Sequence, residues 1–430
     1  MIGISDAHIY GFTIYLCAML ATLNISTKSQ HFLHLEEEHG AHNYHPLPVV
    51  LEKGLGVHVW DVDNKQYFDF LSGYSAVNQG HCHPRIIDTL ITQAQKLTLT
   101  SRAFHNNLLG EYAQYITEYF SYDKVLPMNT GVEAVETALK LARRWGYEVK
   151  GIPANAAKIL VCENNFHGRT LNVISFSNDP SAQINYGPFM PGYEIVAYNN
   201  IDALKNALKD PNVAGFLIEP IQGEAGVVVP DEGYLAAAAS LCKEANVLFI
   251  ADEIQTGLGR TGKLLACDHE GVRADIIILG KALSGGTLPV SAVLADDEIM
   301  MLIKPGQHGS TYGGNPLACA VAIEALKVLK EEHMCENAVL QGDYFRSELV
   351  ALNSPYIKEV RVKGLFTAVV IGHASLGEDA AMDLCMLMME NGLLAKPTHG
   401  DKIRFAPPLI ITRNQIDECI AIIKKSLEQL

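Results

Sequence analysis

Four short apolar runs constrain this chain more than anything else in it. KILVCEN (158–164), AGFLIEP (214–220), VLFIADE (247–253) and ADIIILG (274–280) carry apolar residues without the polar alternation of a half-exposed strand. Strands of that kind are covered on both faces, as in a largely parallel sheet flanked by helices. Helical stretches such as EGYLAAAASLCKEAN (232–246) lie between them. Over residues 83–320 this order implies an open α/β sheet, with ligands expected at the carboxyl ends of its strands.

The helix signals are physical as well as periodic. In GVEAVETALKLARRWGY, Val132, Val135, Leu139, Ala142 and Trp145 recur at three and four, with Glu133 and Glu136 early and Lys140, Arg143 and Arg144 late, an order that complements the helix dipole. Asn315-Pro316 is a cap followed by a first-turn proline, opening a helix to about residue 333. Thr412 and Gln415 form a capping box ahead of the stripe Ile416, Cys419, Ile420, Ile423 and Leu427. No repeat or low-complexity linker divides the chain, so its domains are expected to share a close interface. Residues 36–82 and 321–430 are assigned to a second, smaller domain.

A net charge of −15 with no Lys/Arg cluster argues against nucleic acid as a partner. Nine cysteines without a C-x-x-C pair favour a reducing compartment over a disulfide framework. His81-Cys82-His83 suggests a metal, but adjacent side chains diverge and no second ligand pair follows at zinc spacing, so no metal site is assigned. Residues 1–35 form an N-terminal extension whose apolar run 9–25 is marginal in length for a membrane span. Lys and Arg are absent before Lys28, which suits neither a signal peptide nor a mitochondrial presequence. Cytoplasm and mitochondrial matrix both stay open.

GLGRTGK (257–263) fits the phosphate-loop pattern G-x-x-x-x-G-K, yet Leu264 stands where a magnesium-binding hydroxyl belongs and only LLACDHE separates it from Gly271. A dinucleotide fold would place the glycines directly after the first strand of its unit; ADEIQT intervenes. A better centre lies in ILGKALSGG. Lys281 follows the apolar run Ile276–Leu279, where burial would favour the neutral, nucleophilic amine. Asp252 ends the preceding strand on the same sheet edge, and a carboxylate there can hold the proton on a pyridine nitrogen. Asn129-Thr130-Gly131-Val132 opens a well-formed helix whose free N–H groups can hold a phosphate without a lysine.

NTGVEAVETALKLAR, NNFHGRT, IEPIQGEAGV, ADEIQTGLGRTGK, LGKALSGG and HGSTYGGNPLA stand in the order and spacing of class III, fold type I aminotransferases, which this chain resembles from residue 36 to its end. The resemblance implies an α/β fold: a large domain (83–320) with a mostly parallel central sheet and a smaller α+β domain built from both chain ends. It implies pyridoxal 5′-phosphate as cofactor, with Lys281 as Schiff-base lysine and proton shuttle and Asp252 on the pyridine nitrogen. Gln255 would approach the ring hydroxyl, Phe166 would stack on the ring with His167 beside it, and Thr130, Gly131 and Val132 would hold the phosphate. Ser310 and Thr311 would reach the phosphate of the other subunit, so a homodimer with shared sites is implied. The GLGRTGK loop would then shape the path from Asp252 to the site and bind no nucleotide.

GAHNYHPLPVVLEKG, FLSGYSAVNQGHCHP, LTSRAF, GLLAKPTHGD and IRFAPPL are similar to family members that pass the δ-amine of L-ornithine to 2-oxoglutarate. Carried over, Tyr44 and Arg169 would hold the α-carboxylate of ornithine, Tyr74 would separate it from other ω-amines, and Glu219 would line the pocket. Glu224 and Arg404 would be a switch pair, closed for ornithine and opened so that Arg404 takes the α-carboxylate of glutamate. Family members acting on acetylornithine, 4-aminobutyrate or lysine are the nearest alternative. A nucleotide-dependent oxidoreductase using GLGRTG, or a catalytically silent relative, are the others.

Overall fold

The computed structural model describes residues 25–398 and 400–430, so the apolar run 9–25 lies, but for Ile25, outside the described residues. In chain order, β1 (Leu51–Leu55), β2 (His58–Asp61) and β3 (Gln66–Asp69) come first. They are followed by β4 (Lys124–Met128), β5 (Lys158–Cys162), β6 (Tyr193–Val196), β7 (Val213–Ile218), β8 (Leu248–Asp252), β9 (Ile276–Leu279) and β10 (Ser291–Ala295). The last group is β11 (Ile357–Lys363), β12 (Phe366–Ile371), β13 (Leu393–Leu394), β14 (Lys396–Thr398) and β15 (Lys402–Phe405).

The central sheet has the order β4-β10-β9-β8-β7-β5-β6. The four apolar runs are β5, β7, β8 and β9, and every residue of the last three is buried. Helices on both faces leave no place for a polar side chain except at a strand end such as Asp252, which is why alternation is missing. Only β10 opposes its neighbours, pairing antiparallel with both β4 and β9. Helix Gly131–Glu148 buries Val135, Ala138, Leu139 and Ala142 against one face. It runs to Glu148, so its basic residues fall short of the last turn: Arg143 donates to the Pro191 carbonyl and Arg144 pairs with Glu148.

The chain ends meet in the smaller part of the molecule. β13 adds in parallel to β3 of the β1-β2-β3 ribbon, and β11-β12-β15-β14 form a second, antiparallel sheet. Helices Met334–Ala351 and Ala380–Asn391 cover that sheet, and the closing helix Arg413–Gln429 packs on both, with its Thr412/Gln415 capping box and its stripe from Ile416 to Leu427 buried. Helix Pro316–Glu331, capped by Asn315, runs unbroken through the 320/321 boundary and packs on helices Pro84–Ala94 and Asn107–Phe120. No helix of the described residues is long and apolar enough to cross a membrane, and their eight cysteines are all free.

Candidate active site

The carboxyl ends of β7, β8 and β9 open into one cavity of about 250 Å³, lined by Gly131, Val132, Phe166, His167, Gly168, Glu219, Asp252, Ile254, Gln255, Thr256 and Lys281. Glu219 directly follows β7, Asp252 ends β8, and Lys281 comes just after β9. Neighbouring parallel strands end on one edge, so these three side chains share a space although far apart in sequence.

Lys281 opens a 3-10 turn (Lys281–Ser284) at φ +44°, a left-handed conformation that side chains disfavour and that functional sites often hold. Burial lowers its pKa to about 8, against the opposing pull of Glu224. A neutral amine is therefore within reach near physiological pH. Asp252 is buried and uses both oxygens: Oδ1 accepts from the Ile254 N–H at 3.1 Å and Oδ2 lies 2.6 Å from His167 Nδ1. Burial opposes charge on His167, but its bond to Asp252 and the Asp252 and Glu219 charges outweigh that and raise its pKa. His167 Nε2 is buried without a partner among the described residues. Burial pushes Glu219 up to about 7, and its Oε2 accepts from the Phe166 N–H at 2.9 Å.

The helix start beside them is built to receive an anion. Thr130 and Glu133 form a capping box that engages the amides of Asn129, Thr130 and Glu133 and leaves those of Gly131 and Val132 at the cavity wall. Gly168, at φ +130°, allows the Phe166–Gly168 turn against it: a Cβ there would lie 2.5 Å from Val132 Cγ2. Phe166 carries Arg169 over its ring at 5.4 Å.

On the substrate side, Arg404 of β15 donates from Nη1 to Glu224 Oε1 at 2.8 Å and is 2% exposed. Its Nε has no partner among the described residues, so the pair is a single hydrogen bond and not a closed fork. Burial would raise the Glu224 pKa, but the Arg404 and Lys281 charges bring it below its ordinary value. The guanidinium stands 5.4 Å over the Tyr74 ring. Tyr74 belongs to a left-handed turn, Ser72 to Ser75, with φ of 48°, 57°, 60° and 69°. Asp69 holds that turn, its Oδ1 accepting from the Leu71 and Ser72 amides at 2.9 and 2.8 Å while Oδ2 lies 2.7 Å from His81 Nε2. Gln255 reaches the Tyr74 carbonyl at 3.3 Å, across Gly223, where a Cβ would lie 1.7 Å from Gln255 Oε1. Tyr44 and Arg169 are exposed at the rim, both within electrostatic reach of Tyr74.

The remaining sequence candidates fall elsewhere. Ser310 Oγ accepts from Asn129 Nδ2 of its own chain at 2.8 Å, and Thr311 is exposed. His81 and His83 diverge, one to Asp69 and the other to Glu332. Among the described residues no group of three His, Cys, Asp or Glu could hold a metal. Asp69 and the tie between His167 and Asp252 escaped sequence reasoning. The sequence carries no signal for either beyond Gly73, the glycine within the left-handed turn that Asp69 holds.

The class-III aminotransferase model matches residues 39–427. The chain belongs to the class-III aminotransferases. It is 60% identical over 399 residues to the "Ornithine aminotransferase, mitochondrial" of Rattus norvegicus, covering 93% of this chain and 90% of that one. It is 62% identical over 392 residues to the Drosophila melanogaster protein of the same name (91% and 90% covered). Among solved structures, the ornithine aminotransferase of Toxoplasma gondii superposes with a TM-score of 0.91 at 47% identity, over 99% of this chain and 98% of that one. The acetylornithine aminotransferase of Elizabethkingia anophelis gives 0.86 at 57% identity, over 94% and 99%. For a class-III aminotransferase, GLGRTGK is no phosphate loop: a short 3-10 turn, Ala266–Glu270, follows it, not a long helix.

Proposed function

We propose that this aminotransferase moves the δ-amino group of L-ornithine to 2-oxoglutarate, giving L-glutamate 5-semialdehyde and L-glutamate, with pyridoxal 5′-phosphate in the Lys281 cavity. The observation that carries the substrate assignment is Arg404: a buried cation held by one carboxylate hydrogen bond in the same site as Lys281. One pocket must take a cationic diamino acid and then a dianionic acceptor, and an arginine that Glu224 can neutralise or release serves both.

The residues fit the cofactor. Gly131 and Val132 offer amides to a phosphate, Phe166 a ring face, Asp252 a buried carboxylate, and Lys281 an amine of lowered pKa. When bound, the cofactor supplies an aldehyde for exchange of amines and a pyridinium that takes up an electron pair from the substrate carbon. Asp252, tied to His167, would hold the proton on the ring nitrogen, and Gln255 would face the ring hydroxyl. The Lys281 Nζ would take the proton from the carbon bearing the reacting amine and deliver it to the cofactor's aldehyde carbon, from the one face on which the lysine stands. Tyr44 and Arg169 hold the ornithine α-carboxylate at the rim, Tyr74 bounds the chain of the substrate, and Glu219 closes the wall behind. In a homodimer, Ser310 and Thr311 would complete the partner subunit's phosphate site.

Purified holoenzyme given ornithine and 2-oxoglutarate should release the cyclised semialdehyde. Transfer from acetylornithine, 4-aminobutyrate or lysine at equal or higher kcat/KM would replace the assignment; the 57% identity to an acetylornithine enzyme makes that donor the first comparison. Glu224→Ala should raise transfer from the α-amine of glutamate relative to ornithine by at least about tenfold, because Arg404 is no longer engaged. An unchanged ratio in single-substrate assays would remove the switch role.

A further inference from the structure

The arginine of GLGRTGK has no part in the site described above, yet it is wholly buried. Among the described residues Arg260 reaches no carboxylate, and its Nε has no partner. Its Nη1 donates to the Leu365 and Pro407 carbonyls at 2.9 and 2.6 Å, and its Nη2 to Asn78 Oδ1 at 2.6 Å. Desolvating a guanidinium costs several kcal/mol, offset only where its donors meet well-placed acceptors. All three acceptors come from other parts of the chain.

Those acceptors mark a joint. In the β12/β15 ladder Thr367 opposes Phe405 and Ala368 opposes Arg404. Leu365 and Pro407 lie two residues beyond the Thr367/Phe405 rung, one just before β12 and the other just after β15, so Arg260 spans the end where the strands part. The Leu365 N–H returns a bond to the Arg260 carbonyl at 3.2 Å. Gly364, at φ +59°, seats the β11–β12 turn on the loop: a Cβ would lie 2.4 Å from the Thr261 carbonyl carbon. Asn78 donates to the Leu258 carbonyl at 2.9 Å and accepts from the Leu409 N–H at 2.8 Å, close in sequence to the turn that carries Tyr74.

We propose that Arg260 is a positioning residue that fixes Arg404 for the dicarboxylate acceptor by locking the open end of the β12/β15 pair. The proposal rests on the switch role given above to Glu224 and Arg404. While ornithine is bound, Glu224 itself holds Arg404. Once Arg404 is released to take the α-carboxylate of the acceptor, its strand and the Tyr74 ring are left to hold it, so the acceptor half-reaction depends on the lock more than the donor half-reaction does.

Arg260→Lys keeps a basic side chain of similar length but not the fork that spans two carbonyls and an amide. In the holoenzyme, with each half-reaction followed separately by cofactor absorbance, KM for 2-oxoglutarate should rise about tenfold or more, as a shift of about 1 Å can cost up to about 10²-fold. The ornithine half-reaction should stay within about threefold, and amide hydrogen exchange should quicken over residues 402–406 but not over β8. In Arg260→Lys/Arg404→Lys, KM should rise no further than in Arg404→Lys alone. Equal losses in both half-reactions, additive effects in the double variant, or an unchanged KM would overturn the proposal and leave the switch standing. An Arg404→Lys enzyme with normal 2-oxoglutarate binding would overturn both. Should Arg260→Lys fail to fold, Asn78→Ala removes the Nη2 acceptor and the Asn78 bond to the Leu258 carbonyl while leaving both Nη1 bonds, and must raise the same KM by a smaller factor; no rise there is equally fatal.

Discussion

Lys281→Ala should yield a folded protein that turns over about 10⁴-fold more slowly or worse, since one substitution removes both the nucleophile and the proton carrier. Borohydride should fix the cofactor to Lys281 in the parent chain and to no residue in the variant. Stability adds an independent check. The folded pKa of about 8 lies below the ordinary 10.5, so the unfolded chain binds this proton more tightly. The penalty on the apoprotein is complete below pH 8, fades as pH rises to 10.5, and at about 1.4 kcal/mol per unit amounts to about 3 kcal/mol at neutral pH. Alanine removes that penalty and loses methylene packing of similar size. The variant's Tm should therefore match the parent's near pH 7 and fall behind it toward pH 10. An active variant, or a Tm difference that ignores pH, would refute the assignment.

The features legible in the sequence are those whose cause is local. Burial on both faces writes itself into β7, β8 and β9 as unbroken apolar runs, and the demands of a helix end appear as Thr130/Glu133, Asn315-Pro316 and Thr412/Gln415. The site candidates Lys281, Asp252 and Gly131 were legible because strand ends and helix starts share one sheet edge. Strand direction is not written in this way: β10 is as fully buried as the parallel strands β7, β8 and β9, and only its pairing makes it antiparallel. Partners distant in sequence are equally silent. Nothing near His167 announces Asp252, and nothing in GLGRTGK announces carbonyls at residues 365 and 407. Phosphate-loop glycines and the glycines here answer the same need for tight backbone, so the motif resembles one function while its geometry serves another: Gly259 and Gly262, both at φ +88°, bend the loop that carries Arg260 inward.

Asp252→Asn should lower kcat by about 10²–10³-fold with little change in KM for either substrate, the scale set by loss of one preorganised electrostatic partner. The isosteric amide preserves volume and can still accept from the Ile254 N–H through its oxygen. It carries no charge, so it can neither hold a proton on a ring nitrogen nor keep the His167 pKa raised, both of which depend on the carboxylate. Asp252 touches neither the ornithine carboxylate at the Tyr44/Arg169 rim nor the Arg404 pair, and the damage should therefore fall on the chemical step and not on substrate binding. Titration of the imidazole by NMR gives the second measure: the His167 pKa should drop once its charged partner is gone, because burial then acts unopposed by Asp252. A variant in which KM rises while kcat holds would place Asp252 on the substrate and not on the cofactor, and the alignment of β8 and β9 would have to be explained by some other chemistry.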